Sequence, residues 1–397
     1  MSKYPSDWLS KPLGKVYPKI VVGYVGNVND HYCRAEEGVP FYRTLNIRDG
    51  YFRHSEHLYV THEFNEKNKK SQITNNDILI ARVGANLGMV CKANGISGLA
   101  NMANAIIIKT NDVNSADADF YTSFLLSPMG KNQIYSGAAG GAQGVFNTKL
   151  TQEIIVPVPP LPEQRKIAQI LSTWDRAIAT TEKLIDASKQ QKKALMQQLL
   201  TGKKRLIDPE TGKAFEGDWE NTHLSNIASI KKGKALSAKN LVAGSYPVIA
   251  GGKSSPYSHV DFTHENVITV SASGAYAGYV SYHPYKIWAS DCSVVTAKPA
   301  NYLGFIFQWL QLNQIRIYSM QSGGAQPHIY PKDLEVMKLR VPKIEEQEKI
   351  ASVLTAADEE IKLLETKLVH FKQEKKALMQ QLLTGKRRVK VAETEAA

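Results

Sequence analysis

The sequence predicts a mixed fold, α/β with α+β character: two mixed domains separated by two long helices that pair as an antiparallel coiled-coil spacer, a pseudo-two-fold internal repeat. Three observations carry this. Twelve residues, Lys192-Lys-Ala-Leu-Met-Gln-Gln-Leu-Leu-Thr-Gly-Lys203, return unchanged 183 positions later as Lys375 to Lys386. Each copy ends a long stretch free of Pro and Gly whose apolar residues step by threes and fours. Ahead of each stretch lies a region rich in Gly, Asn, Ser and aromatics, with short β-branched runs.

The same offset carries Glu163-Gln164-Arg-Lys-Ile-Ala168 onto Glu346-Gln347-Glu-Lys-Ile-Ala351, Gly140-Gly-Ala-Gln143 onto Gly323-Gly-Ala-Gln326, and Val158-Pro159 onto Val341-Pro342. The mixed regions also match in places. Asp7-Trp8 and Leu13 answer Asp218-Trp219 and Leu224, and Gly84-Ala-x-x-Gly88-x-Val90 answers Gly274-Ala-x-x-Gly278-x-Val280. Here the offset grows, so the first region carries insertions that the second lacks. Asn104-Ala-Ile-Ile-Ile-Lys109 and Asn266-Val-Ile-Thr-Val270 read as strands, and the Gly-bounded segments as tight turns between strands.

After Pro157, Pro159, Pro160 and Pro162, the first helix is expected from Glu163 to Leu200, stopped by Gly202; the second runs from Glu346 to Leu383, stopped by Gly385. One seam reads Ile167, Leu171, Trp174, Ile178, Thr181, Ile185, Ser188, Lys192, Leu195 and Leu199. The other reads Ile350, Leu354, Ala357, Ile361, Leu364, Leu368, Phe371, Lys375, Leu378 and Leu382. Parallel pairing would set Lys192 against Lys375, bringing like charges together in a poorly solvated layer. Antiparallel pairing sets Lys192 against Ala357, Lys375 against the Trp174 ring, Ser188 against Ile361 and Ile178 against Phe371, and lets each lysine lay its stem on apolar surface. Such a rod is about 57 Å long and carries a head at each end.

Length and composition fit two soluble globular domains, with 43% hydrophobic and 22% charged residues. No apolar run approaches the span of a bilayer, and Cys33, Cys91 and Cys292 are too few and too scattered for a disulfide frame or zinc module, so a cytoplasmic protein is expected. His31-x-Cys33 reads as incidental. A net charge of +12 points to a polyanion, most simply nucleic acid, although solvated lysine faces alone produce such a number.

Chemistry is conspicuous by its missing motifs. In Tyr246-Pro-Val-Ile-Ala-Gly-Gly-Lys-Ser254, Pro247 stands where a phosphate-binding loop needs its first Gly, which leaves a loop with a Lys. His62-Glu63 and His264-Glu265 lack the second His of a zinc-protease string, and the Gly turns are too loose for a dinucleotide fingerprint. The chain reads as non-catalytic, with no metal site.

The junctions Val158-Pro-Pro-Leu-Pro-Glu-Gln-Arg-Lys-Ile167 and Val341-Pro-Lys-Ile-Glu-Glu-Gln-Glu-Lys-Ile350, with the helix ends Leu195-Met-Gln-Gln-Leu-Leu-Thr-Gly202 and Leu378-Met-Gln-Gln-Leu-Leu-Thr-Gly385, resemble the specificity (S) subunit of Type I restriction-modification enzymes. The pattern covers essentially the whole chain. It implies target recognition domains at 1–158 and 217–341, spacer helices at 159–202 and 342–385, a linker at 203–216 and a basic then acidic tail at 386–397. Each recognition domain would read one half of a bipartite, asymmetric target in double-stranded DNA, while the helices set the gap and dock two methyltransferase (M) subunits. The resemblance implies no cofactor on this chain. S-adenosylmethionine and N6-adenine methylation belong to the M partner, ATP and Mg to two restriction (R) subunits where a system has them. One departure, Lys343-Ile344-Glu345 in place of Pro160-Leu161-Pro162, is expected to loosen the start of the second helix.

DNA-facing residues should combine phosphate neutralisation with base-edge hydrogen bonds. The candidates in the first head are Arg43, Arg48, Arg82, Asn86 and Gln143; in the second they are Lys231, Lys232, Lys234, Tyr276, Gln326 and His328. Each is equally readable as a solvated surface residue, and Lys231-Lys-Gly-Lys234 as a basic turn. The shared Gly-Gly-Ala-Gln either positions the DNA backbone or ties a head to its own helix. The identical helix ends, with Gln197, Gln198, Gln380 and Gln381, suggest twin docking surfaces or a recent duplication alone. The rival to the whole reading is a stand-alone two-headed DNA-binding regulator.

Overall fold

A computed structural model describes residues 4–111, 113–139, 145–253, 255–323 and 326–391. The chain divides into two units, one holding residues up to Thr180 together with those from Leu368 on, the other holding Thr181–Lys367. Each unit is therefore a mixed head plus half of each long helix.

The heads share one plan. In the first, a four-stranded antiparallel sheet runs in the order Ile20–Val22, Ala105–Ile108, Ile78–Ala81, Val90–Lys92; in the second it runs Ala228–Lys232, Cys292–Ala297, Val267–Ser271, Val280–His283. The two β-branched runs expected as strands are thus the central strands. They are covered on both faces, and the period of two shows how. Ile78, Ile80, Ile106 and Ile108 pack towards the helices Ala118–Leu126 and Pro128–Ala139, whereas Leu79, Ala81, Ala105 and Ile107 join a separate apolar cluster on the other face. In the second head Ile268, Val270 and Val295 divide in the same way from Val267, Cys292 and Val294.

A smaller three-stranded sheet also repeats. Gly38–Tyr42 lies between antiparallel Leu58–Thr61 and parallel Asn101–Met102, and Tyr246–Ile249 between antiparallel Ser258–His259 and parallel Trp288–Ala289. Part of the extra length of the first head enters here, and part in the stretch with the helices His62–Lys67 and Lys69–Ser71 that follows Leu58–Thr61. Segment 43–57 contains a short hairpin, Ile47–Arg48 with Tyr51–Phe52, while the described residues of the counterpart, 250–257, contain no strand.

The long helices are Leu161–Leu199 and Ile344–Leu382, 39 residues each. Both begin two residues earlier than expected. Pro162 sits in the first turn, where its missing N–H breaks no helical bond. The expected loosening at Lys343-Ile344-Glu345 is absent, because the two helices start at equivalent positions and are held by equivalent bonds. Gln164 donates to Pro159 O at 2.8 Å and accepts from Asp117 N at 2.9 Å; Gln347 donates to Pro342 O at 2.9 Å and accepts from Tyr302 N at 2.9 Å. Each buried Gln thus joins its helix to the start of a helix in its own head.

Within each unit the paired helix segments run antiparallel. In the first, Ile167 and Leu171 share a core with Leu378, Leu382 and Leu383, while Asp175 meets Lys375 at 2.5 Å. In the second, Met196 and Leu199 pack with Ile350, Ala351 and Leu354, and Lys192 meets Asp358 at 2.5 Å. Every position of both seams is wholly or partly buried, Trp174, Ile178, Ile185, Leu195, Ile361, Leu364, Leu368 and Phe371 included. One detail of the expected pairing is corrected and one contact is added. Phe371 lies edge-on to Trp174, ring centres 5.6 Å apart. Lys375 sends its ammonium to the Asp175 carboxylate, because an anion one residue from the ring offers a stronger partner than the ring face. The lysine stems are covered as expected, with 13% and 20% of the two side chains exposed.

The duplicated Glu has a clear task. Glu163, buried, receives Trp8 Nε1 at 3.0 Å and both Nε and an Nη of Arg388, whose other bonds go to Asp7. Glu346, equally buried, receives Trp219 Nε1 at 3.2 Å and Arg205 at 2.6 and 2.7 Å. The helix stops, Gly202 and Gly385, hold φ of +70° and +69°, and a Cβ at either would press on Trp219 or on Pro5.

Candidate nucleic-acid interface

The Gly turns are built alike in the two heads. Gly84 and Gly88 have φ of +72° and +81°, Gly274 and Gly278 +77° and +87°. Each turn is closed by equivalent bonds, Gly88 N to Ala81 O at 2.8 Å and Gly278 N to Ser271 O at 2.7 Å. Side chains between the glycines therefore project from the end of a rigid sheet, a good platform for recognition. Phe146 N donates to Arg82 O at 3.0 Å, and Ile329 N to Ala272 O at 2.9 Å, so the segment after Gly-Gly-Ala-Gln is hydrogen-bonded beside the Gly turn in both heads.

In the first head the structure brings together four of the five candidates. Asn86 Nδ2 donates to Thr44 O at 3.3 Å, joining the Gly turn to the turn Thr44–Asn46 that follows Arg43 and precedes Arg48. Arg48 contacts Met89 Sδ at 3.8 Å. Arg43 is turned inward, donating to Glu56 O at 3.1 Å. Arg82 and Arg43 each keep a buried Nε without a hydrogen-bond partner. The fifth candidate, Gln143, lies outside the described residues.

In the second head Tyr276, Gln326 and His328 are joined through the backbone. Gly274 N donates to Pro327 O at 3.1 Å, and His328 and Ser322 exchange bonds at 2.8 and 3.0 Å. Tyr276 is 43% exposed and Gln326 is exposed. His328 stacks on Tyr330 at 6.0 Å, with Lys332 over the other's ring at 5.7 Å. Lys231, Lys232 and Lys234 are all exposed, Lys234 5.2 Å above the Trp288 ring. Segment 289–292 connects this basic turn to the Gly turn, through Gly233 N to Cys292 O at 2.8 Å and Ala272 N to Asp291 O at 3.1 Å.

Two groups escaped the sequence reading. Lys253, read only as a loop lysine, stands 5.1 Å from the Tyr276 ring and 5.4 Å from that of Tyr279; the Tyr-x-x-Tyr spacing was the available signal. The segment Arg53–His57 carries no signal in the sequence, because the bonds that shape it come from Arg43 and Asn46. Among the described residues no group of three or more His, Cys, Asp or Glu could hold a metal ion, and no helix is long and apolar enough to cross a membrane. Burial pushes the Cys91 and Cys292 thiols up to about 12, which makes them poor nucleophiles.

The family model for the Type I restriction modification DNA specificity domain matches residues 5–190 and 216–372. The putative type I restriction enzyme MjaX specificity subunit of Methanocaldococcus jannaschii is 27% identical over 98% of this chain and 96% of its own length. The type I restriction enzyme MjaVIII specificity subunit of the same organism is 26% identical over 88% of this chain and 86% of its own. Among solved structures, the S subunit of a Type I restriction-modification system from M. genitalium superposes with a TM-score of 0.66 at 16% identity, covering 94% of this chain and 96% of that one. A chain from a study of type I R-M complex assembly and conformational transition gives 0.57 at 15%, covering 98% and 100%. Those two likenesses show the fold; with the family match over both heads and most of both long helices, this chain belongs to the Type I restriction modification DNA specificity family.

Proposed function

We propose that this chain is the non-catalytic, DNA-reading subunit of a Type I restriction-modification complex, with residues 1–158 and 217–341 as its two target recognition domains. Each domain reads one half of a bipartite, asymmetric target. The observation that carries this is a common scaffold with unlike contents: the Gly turn presents Arg82 and Asn86 in one head but Ala272 and Tyr276 in the other. Equal frames with unequal side chains suit two different half-sites. Family membership gives no support to the rival reading of a stand-alone regulator.

The helices, 159–202 and 342–385, set the gap between half-sites. Their identical ends, with Gln197, Gln198, Gln380 and Gln381 exposed, dock two M subunits that bring S-adenosylmethionine, and R subunits with ATP and Mg join where the system has them. Segments 203–216 and 386–397 are the linker and tail. The direct test is methylome mapping of cells carrying this chain with its methyltransferase. Two unequal adenine-containing half-sites at a fixed spacing are expected; a palindromic motif, or methylation by the purified chain alone, would refute the proposal.

A further inference from the structure

The first head contains an exposed loop that the structure holds far more firmly than burial requires. Asn46, fully buried, donates to Arg53 O at 2.9 Å and to Ser55 O at 2.8 Å while accepting from Arg43 N at 2.8 Å. Arg43 Nη2 fixes the loop tip by donating to Glu56 O at 3.1 Å. Glu56 itself has φ of +64°, a left-handed conformation unfavourable for a side-chain-bearing residue, yet it is exposed and fills no core. At the tip, Arg53 bonds Ser55 Oγ at 2.7 Å and pairs with the Glu56 carboxylate. A guanidinium and a carboxylate are thus displayed side by side, 31% and 59% exposed.

Its place matters as much as its shape. The loop is anchored to the turn Thr44–Asn46, which Asn86 ties to the Gly turn, so it extends the candidate interface of the first head. It also lies in segment 43–57, where the heads diverge. An element peculiar to one head can distinguish half-sites; a shared element cannot.

Resting on the reading of this head as a DNA-recognition domain, we propose that Arg53 and Glu56 are specificity determinants that together take one G·C base pair. In the major groove guanine offers O6 and N7 as acceptors beside the N4 donor of cytosine. The guanidinium donates to guanine and the carboxylate accepts from cytosine. Their mutual contact keeps both side chains ordered before DNA arrives, so less entropy is lost on binding.

The test selects binding sites from a library of randomised DNA duplexes with the full-length chain and its Arg53→Ala, Glu56→Ala and Glu56→Gln variants, with thermal melting measured in parallel. The wild type should select a G·C pair at one position of one half-site. Each variant should relax that position by roughly ten- to a hundredfold and leave the other half-site and gap alone. Unchanged selectivity overturns the assignment, as does an Arg53→Ala effect equal for all sequences, the mark of a phosphate contact. Should Arg53→Ala fail to fold, Glu56→Gln at the exposed tip decides. A wild-type chain that selects no motif overturns the DNA-reading proposal as well, which separates the two failures.

Discussion

Arg388 holds both carboxylate oxygens of Glu163, 225 residues earlier, at 2.7 and 2.8 Å. The same guanidinium bonds Asp7 and lies 5.6 Å from the Trp8 ring, so the segment after the second helix is an integral part of the first unit. Hydrogen bonding from Arg388 holds the Asp7 carboxyl below its ordinary range, and the paired carboxylates raise the pKa of Arg388. Arg205 repeats the contact with Glu346 in the second unit.

Removing the arginine leaves a buried carboxylate with only an indole donor. Arg388→Ala should therefore destabilise the first unit by about 2–4 kcal/mol, less than a fully enclosed orphan charge would cost because the guanidinium is 43% exposed. Arg205→Ala should act on the second unit instead. Urea unfolding followed by amide exchange in each unit measures this, and equal loss of protection in both units from either substitution would contradict it.

These contacts explain what the sequence could and could not disclose. The seams were legible because helical periodicity is local, and Lys192 and Lys375 gave the direction because burying like charges together is prohibitive. The Glu-Gln repeat is visible as a repeat, but its purpose is not, because the charged partner of each Glu, Arg388 for Glu163 and Arg205 for Glu346, lies beyond the other helix. The central strands announced themselves through β-branching. The loop 53–57 did not, since its shape comes from Asn46, which in sequence reads as one more turn residue.

A second prediction concerns the seam lysines. Lys192 bonds Asp358 Oδ1, while Gln308 Nε2 reaches Oδ2 at 2.9 Å, so helix, partner helix and head meet on one carboxylate. Lys192→Glu sets two anions together and should lower stability by about 1–2 kcal/mol. Adding Asp358→Lys should restore most of it. A double-mutant cycle with coupling near zero would show that the pair does not hold the helices in register.

His283 supplies a pH dependence. It is buried on the strand Val280–His283, Nε2 is 2.9 Å from Thr269 Oγ1, and Nδ1 is buried without a partner. Burial lowers its pKa from 6.5 to about 4. Between those values the unfolded chain takes up a proton that the folded chain refuses, so stability must fall as pH drops from 6.5 towards 4 and be insensitive to this group above 6.5. Melting temperatures of wild type and His283→Gln across that window should converge on acidification. Parallel curves would mean that His283 is not the group responsible.

The spacer proposal makes the most exacting prediction, because a helix pair can be lengthened without touching a head. Seven residues added to each helix between corresponding seam positions extend it by about 10.5 Å, close to three base-pair rises of roughly 3.4 Å. A whole heptad is chosen because it restores the apolar seam with a rotation of only about 20°, whereas five residues would turn it by about 140° and bring charged positions into the interface. Inserting it in one helix alone should unpair the seam and cost stability. Inserted in both, it should lengthen the unread gap in the methylation motif by about three base pairs with both half-sites retained. Altered half-sites with an unchanged gap would break the link between helix length and target spacing.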